Sequence, residues 1–269
     1  LGEMNPLELA NYHLISGRIE DAKQVLESGI TSQEGLSEKG VEILLKCYIR
    51  FGLRDDYTNT LQRFGNLIGI TTPDFNHLNT YLKTVNDSIV LIHGTSQKRG
   101  SFSGSGFSIA PNLIVTNRHV VEEIETSDLR IIGKEQTYSV EEIELDPIND
   151  IAILKIAGKL KPLRLGEFNF VEPGERVIAI AFPAPGSASH SENIYISDGR
   201  VNSIRKIEMS PERVIFMDSK IGQGMSGGPL FNGFGEVIGI VTMHYGKMTQ
   251  PIALPIHLVK KYRMKYQIS

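Results

Sequence analysis

The sequence is poor in features that mark several common classes of protein. It has one cysteine in 269 residues, Cys47, so no intramolecular disulfide forms and a thiolate metal cluster is out of reach. No apolar run approaches the roughly 18 residues that a membrane span needs, and no basic stretch followed by an apolar core opens the chain like a secretory leader. These absences lead to the expectation of a cytoplasmic protein without a membrane partner. Positive charge is not in surplus either. The 28 basic residues stand against 31 acidic ones, for a formal net charge of −3, and this offers no field for wrapping nucleic acid. His13, His77, His93, His190 and His257 show no metal-ligand spacing, so neither a metal nor another cofactor is expected.

What is present is a globular composition, 41% hydrophobic and 22% charged, enough to bury a substantial core. Its character changes near residue 86. Helical signals precede that point, and short Ile/Val-rich segments separated by Gly, Pro, Asn and Ser follow it. The acidic surplus lies wholly in the front, with 11 acidic and 8 basic residues in 1–85 and 20 of each afterwards. In the front part, Leu9-Ala10-Asn11-Tyr12 through Gly17 to Leu26 is echoed by Leu44-Leu45-Lys46-Cys47 through Gly52 to Leu61, a shift of 35 residues. Each half reads as two helices around a glycine turn. A third helical segment is expected from Thr72-Pro73 to about Lys83. The pattern resembles tetratricopeptide-type helical hairpins, which implies a partner-binding role; a small packing bundle is the plainer alternative.

Three blocks of the back part matter jointly. Leu113-Ile114-Val115-Thr116-Asn117-Arg118-His119 delivers a histidine just past a strand. Asp146-Pro147-Ile148-Asn149-Asp150-Ile151-Ala152 sets an acid at the mouth of another. Gly222-Gln223-Gly224-Met225-Ser226-Gly227-Gly228-Pro229 encloses a serine in glycines. Each block alone has a plainer reading as a structural histidine, a turn former or a loop. Together, in the order His, Asp, Ser at spacings of 31 and 76 residues, they point to nucleophilic catalysis. A serine hydroxyl is a poor nucleophile at neutral pH and needs a base, His119. The imidazole needs a carboxylate to fix its tautomer, Asp150. An oxyanion needs backbone N–H groups that no side chain screens, and these are assigned to Gly224 and Ser226.

Thr116-Asn117-Arg118-His119-Val120, Asn149-Asp150-Ile151-Ala152 and Gly224-Met225-Ser226-Gly227-Gly228-Pro229 resemble the motif blocks of trypsin-like (chymotrypsin-fold) serine proteases, and within them the HtrA/Deg branch. The resemblance covers roughly residues 86–262 and extends to Pro251 through Lys261. It implies two six-stranded antiparallel barrels with the catalytic residues between them, and hydrolysis of peptide bonds in protein substrates. The expected fold class is therefore α+β and multidomain: helical hairpins over 1–85, then an all-β double-barrel protease domain over 86–269. The resemblance also implies a primary substrate pocket near Lys220, walled by Val241, Thr242 and Met243, with His244 beside it. An inward Lys220 favours an acidic side chain ahead of the scissile bond, and an outward one favours small or aliphatic residues.

Met225 departs from the relatives, which carry Asp or Asn before the serine. A thioether cannot accept the ionic bond of a newly cut amino terminus, so activation by clipping is not expected. A resting, misaligned oxyanion hole is, with a protein partner acting through residues 1–85 to switch it on. The reading from another class is a protease-fold binding module whose cleft is idle. Of the remaining features, Gly104 and Gly106 lie before a strand and read as a β-bulge or tight approach rather than a phosphate loop. Lys98-Arg99, Arg205-Lys206, Lys260, Lys261, Arg263 and Lys265 read as solvated faces. Loops 95–105, 183–193 and 244–251 are expected around the cleft.

Overall fold

The computed structural model describes residues 5–31, 37–51, 53–68, 83–96, 100–184, 194–208, 210–243 and 250–267. The chain divides into two compact units between Thr72 and Pro73. Val85, on the helical side of the boundary read from composition, is buried in the core of the second unit, so that core begins before residue 86.

The first unit is built of helices α1 (Pro6–Ile15), α2 (Ile19–Thr31), α3 (Glu38–Phe51) and α4 (Arg54–Phe64), each packed on the next. Helix α1 opens with a reciprocal cap in which the Glu8 N–H donates to Asn5 Oδ1 and the Asn5 N–H to Glu8 Oε2, both at 3.0 Å. After α1, Gly17 takes φ +74° and the Arg18 N–H donates back to the His13 carbonyl at 2.8 Å. Glycine adopts this left-handed conformation without a Cβ penalty. Helices α2 and α3 bury Ala22, Leu26, Val41, Leu44 and Tyr48, and the Tyr48 hydroxyl donates to Glu27 Oε1 at 3.0 Å. The two hairpins are thus present. Gly52 and most of the third expected helical segment lie outside the described residues.

The second unit contains two antiparallel sheets. The first takes strands β1 (Ile89–Ser96), β2 (Gly100–Ala110), β3 (Leu113–Thr116), β4 (Leu129–Ile132), β5 (Thr137–Tyr138), β6 (Val140–Leu145) and β7 (Ala152–Ile156) in the order β5-β4-β1-β2-β3-β7-β6. The other is a closed barrel of β8 (Arg176–Ala181), β9 (Tyr195–Ile207), β10 (Ser210–Met217), β11 (Pro229–Phe231), β12 (Val237–Thr242) and β13 (Ile252–Pro255). Helix α5 (Arg118–Val121) follows β3, and helix α6 (His257–Gln267) follows β13. The expected pair of six-stranded barrels is met in the second sheet. The first carries a seventh strand, the two-residue β5, paired to β4 at its edge.

Two-sided burial explains why nearly continuous apolar segments form strands such as β3, β7, β8 and β12, whereas β4, with one face exposed, alternates. In the β7 segment Ile151 and Ile153 enter the core between the sheets while Ala152, Leu154 and Ile156 fill the inside of the first. In β8, Ile178 and Ile180 face the shared core and Val177 and Ala179 the barrel interior. Gly104 and Gly106 do not make a bulge, since β1 and β2 pair in unbroken register from Ile89↔Phe107 to Ser96↔Gly100. They permit close approach: a Cβ at Gly104 would meet Val120 Cγ1 at 2.5 Å, and one at Gly106 would meet Ile114 Cγ2 at 2.8 Å.

The carboxy-terminal basic residues are not merely a solvated face. Lys260 pairs with Glu167 at 2.6 Å, Lys261 with Asp146 at 2.8 Å and Lys265 with Glu144 at 2.7 Å. Beneath the second sheet, Glu236 is buried and accepts from Arg164 Nε at 3.1 Å and Asn232 Nδ2 at 3.1 Å. Burial pushes its carboxyl above the ordinary 4.5 despite these partners. A carboxyl raised in this way favours the folded state below its ordinary value, and that advantage is lost as pH rises through the folded one. Arg164→Met is therefore expected to cost on the order of 3 kcal/mol at neutral pH and less near pH 4. Urea unfolding at the two pH values measures this, and an equal loss at both would contradict it.

Candidate active site

The first half of the site is made where β3 ends. Ile114, Val115 and Thr116 are buried, and the chain leaves the sheet at Asn117 to form the single turn of α5. Asn117 is itself buried and directs Nδ2 to the Asp150 carbonyl at 2.9 Å. The backbone N–H of His119 donates to Asp150 Oδ1 at 2.9 Å, and its Nδ1 lies 2.7 Å from Asp150 Oδ2. Both carboxylate oxygens thus engage one residue. A carboxylate only accepts, so Nδ1 is the donor of this pair, and in the neutral imidazole that tautomer leaves the lone pair on Nε2. The His119 side chain is 33% exposed and that of Asp150 14%.

The second half is the turn ahead of β11. Ser226 is 8% exposed and lines, with His119, a cleft of about 510 Å³ that also includes His93, Ser101, Phe102, Ser103, Ala184, Gln223, Gly224 and Met243. The Met243 N–H approaches Ser226 Oγ at 3.4 Å. Gly224 has φ +87°, and a Cβ there would meet the Ala184 nitrogen at 2.3 Å, so glycine is required. The Ala184 N–H donates to the Gln223 carbonyl at 2.7 Å. In a trans peptide the carbonyl and the following N–H point oppositely, which turns the Gly224 N–H away from Ala184. Among the described residues neither the Gly224 nor the Ser226 N–H has an acceptor. Two neighbouring backbone donors without acceptors suit an anion.

Met225 has neutral partners within this turn. Its side chain is buried, its sulfur accepts from the Gly222 N–H at 3.3 Å, and its own N–H returns to the Gly222 carbonyl at 3.2 Å. The thioether closes the turn on itself, without an ionic partner.

Sequence reasoning missed Ser105. It is fully buried on β2, and its hydroxyl donates to the Gly224 carbonyl and accepts from the Phe182 N–H, both at 2.8 Å. Its N–H donates to the Ser226 carbonyl at 2.8 Å. Gly227 permits this approach: at φ +91°, a Cβ would lie 2.0 Å from the Ser105 carbonyl oxygen. The available signal was a serine between two glycines in the strand that faces the serine-bearing turn.

Lys220 lies in a separate hollow of about 610 Å³ with Arg176, Tyr195, Asp198, Arg200 and Asp218. Asp218 Oδ1 accepts the Arg200 N–H at 2.6 Å, which ties that stretch to β9. Val241 and Thr242 are completely buried, because β12 is covered on both faces. Met243 does line the cleft, and His244 lies outside the described residues. Of the loops expected around the cleft, Ser101–Ser103 and Ala184 reach it. No group of three or more metal-binding side chains occurs among the described residues. No helix among them is long and apolar enough to cross a membrane.

Residues 104–240 match the model of the trypsin-like peptidase domain family. A probable periplasmic serine endoprotease, DegP-like, from Pseudomonas fluorescens is 35% identical over 171 residues, 61% of this chain and 34% of that protein. Serine protease HTRA1 of Xenopus tropicalis is 37% identical over 170 residues, 60% of this chain and 35% of that protein. This chain thus spans about a third of the length of these curated relatives. Among solved structures, Deg5 aligns at TM-score 0.57 with 26% identity, covering 70% of this chain and 93% of that one. The HtrA-type protease AlgW, solved with a tripeptide, aligns at 0.59 with 22% identity, covering 68% and 61%.

Ser105→Ala is expected to leave the buried Phe182 N–H and Gly224 carbonyl unsatisfied, at a cost of about 1–3 kcal/mol. Urea unfolding and faster amide exchange at Phe182 would register the loss. Unchanged stability and exchange would contradict the bridge.

Proposed function

The chain belongs to the trypsin-like peptidase family, and on that premise we propose that it is a serine endopeptidase acting on protein substrates, with Ser226 as nucleophile, His119 as general base and Asp150 as its orienting carboxylate. The observation that carries the reading is the double hydrogen bond of Asp150 to His119 in a cleft that also holds Ser226. The steps follow from those groups. Ser226 Oγ attacks the scissile carbonyl carbon as its proton passes to His119 Nε2. The C=O π electrons move to oxygen, and the oxyanion is held by the N–H groups of Gly224 and Ser226. His119 returns the proton to the departing amine nitrogen as the C–N bond breaks, leaving an acyl ester on Ser226. A water deprotonated by His119 then attacks the ester. Proton return to Ser226 Oγ releases the carboxylic acid and restores the site.

For the residue ahead of the scissile bond we favour a small or aliphatic side chain. Met243 offers an apolar contact at the cleft, and the ammonium of Lys220 belongs to another hollow. Regulation is proposed to run through the helical unit. Its paired hairpins and 35-residue sequence echo suit the docking of a protein partner. Because Met225 already closes its own turn, such a partner acts on substrate access or delivery.

A fluorophosphonate probe is expected to label the wild-type protein at Ser226, and Ser226→Ala to abolish labelling and lower kcat by about 10⁶. Failure of wild type to label, with partners supplied, would leave the binding-module reading instead. In a peptide-library digest, cleavage is expected after small or aliphatic residues; cleavage after Lys or Arg would contradict the pocket assignment.

A further inference from the structure

Asp146 is 1% exposed and its carboxylate receives five donors. Oδ1 accepts from the N–H groups of Ile148 at 2.9 Å and Asn149 at 2.8 Å, and from Asn149 Nδ2 at 3.1 Å. Oδ2 accepts from Lys261 Nζ at 2.8 Å and from the Tyr262 hydroxyl at 2.6 Å. One oxygen therefore builds the turn that leads into Asp150, while the other is held by helix α6. The main chain repeats the connection. The Asp146 N–H donates to the Ile151 carbonyl at 2.9 Å, closing the loop around Asp150. The Asp146 carbonyl accepts from Arg118 Nη1 at 3.2 Å, the residue before His119. Burial alone would raise the Asp146 carboxyl pKa, but Lys261, Tyr262 and the two backbone donors outweigh it and keep the group ionised well below the usual carboxylate range.

The same seam continues away from the site. Lys265 donates to Glu144 at 2.7 Å, and Tyr266 to Glu144 at 2.8 Å. Residues 261, 262, 265 and 266 share one face of α6 by their spacing of four, and 144 and 146 share one side of the extended chain by their spacing of two. The outer contacts bind α6 to β6 without touching the turn. The inner ones alone reach the Asp150 loop.

We propose that Asp146 is a positioning residue for the histidine–carboxylate pair: its carboxylate fixes the turn that presents Asp150 to His119, and the docking of α6 through Lys261 and Tyr262 holds that carboxylate in place. The orientation of the proposed base is thereby coupled to the carboxy-terminal helix. The kinetic consequence rests on the endopeptidase reading, while the geometric one does not.

The test compares full-length Asp146→Asn with Glu144→Gln, which loosens the same helix without touching the turn. Two readouts are taken: the kinact and KI for a fluorophosphonate, and the low-field proton resonance of His119 Nδ1–H. Asp146→Asn is expected to lower kinact roughly 10–100-fold, with KI changed less than about twofold, and to shift or broaden the resonance. Glu144→Gln is expected to lower the melting temperature while leaving kinact and the resonance as in wild type. An unchanged kinact and resonance in folded Asp146→Asn would overturn the proposal, as would an equal fall in Glu144→Gln. If Asp146→Asn does not fold, Tyr262→Phe decides. A roughly 3–10-fold fall in kinact supports the coupling and no change overturns it. A wild-type protein that does not label would sink the endopeptidase reading, and the resonance comparison would then judge the positioning by itself.

Discussion

The buried hydroxyl of Ser105 is the contact on which the candidate site depends. His119 and Asp150 belong to the first sheet and Ser226 to the second, so their relation is only as fixed as the seam between the sheets. Apolar packing holds that seam together, with Phe107, Ile109 and Ile153 on one side and Ile178, Ile180 and Phe216 on the other. Dispersion and burial are non-directional, however, and do not set the orientation of a peptide plane. Ser105 supplies direction. It binds the carbonyls of Gly224 and Ser226 and the N–H of Phe182, two residues before the Ala184 that holds Gln223. Both peptide groups flanking Gly224 are held, that of Gln223–Gly224 by Ala184 just past β8 and that of Gly224–Met225 by Ser105 of the first sheet.

That arrangement explains how the turn keeps its form with a methionine at 225. An ionic anchor at this position holds a backbone turn through one buried charge, which carries a desolvation cost and depends on its partner. Here the same turn is held by neutral bonds: Gly222 to the Met225 sulfur and back, Ala184 to Gln223, and Ser105 to Gly224. The donors of the proposed oxyanion site belong to the main chain, and main-chain donors require no side-chain rearrangement when charge develops. The carboxylates of the neighbourhood lie instead at Asp150, which on the proposed reading orients the base, and at Asp146, four residues before it.

Much of this was legible in the sequence, for identifiable physical reasons. The alternation in Ile151–Ile156 and in Val177–Ala181 follows from two-sided burial and is written locally. The histidine after a strand, the acid before one and the glycine-enclosed serine are each short patterns, because the backbone conformations they need are local. What was not legible depends on contacts between distant segments. Ser105 reaches Gly224 across 119 residues and Phe182 across 77; Tyr262 reaches Asp146 across 116. Nothing near those residues announces their partners. The sequence distance of Lys220 from Ser226 suggests a pocket position, but the residue lines a different hollow, with Arg176, Asp198 and Asp218. Val241 and Thr242 likewise sit at plausible positions and are buried by the fold, while the next residue, Met243, reaches the cleft.

The central claim is that the turn at Gly224–Ser226 presents a pair of N–H groups to an anion, with the Gln223–Gly224 peptide held by Ala184, the Met225–Ser226 peptide by Gly228, and the Gly224 and Ser226 carbonyls braced by Ser105. A crystal structure of the protein after reaction with a fluorophosphonate, with no partner added, tests it most directly. The account predicts phosphorus bonded to Ser226 Oγ and its phosphoryl oxygen about 2.7–3.1 Å from the Gly224 and Ser226 nitrogens, with the Gln223 carbonyl still on Ala184. A phosphoryl oxygen directed to solvent, with the Gln223 carbonyl turned into the cleft, would contradict it.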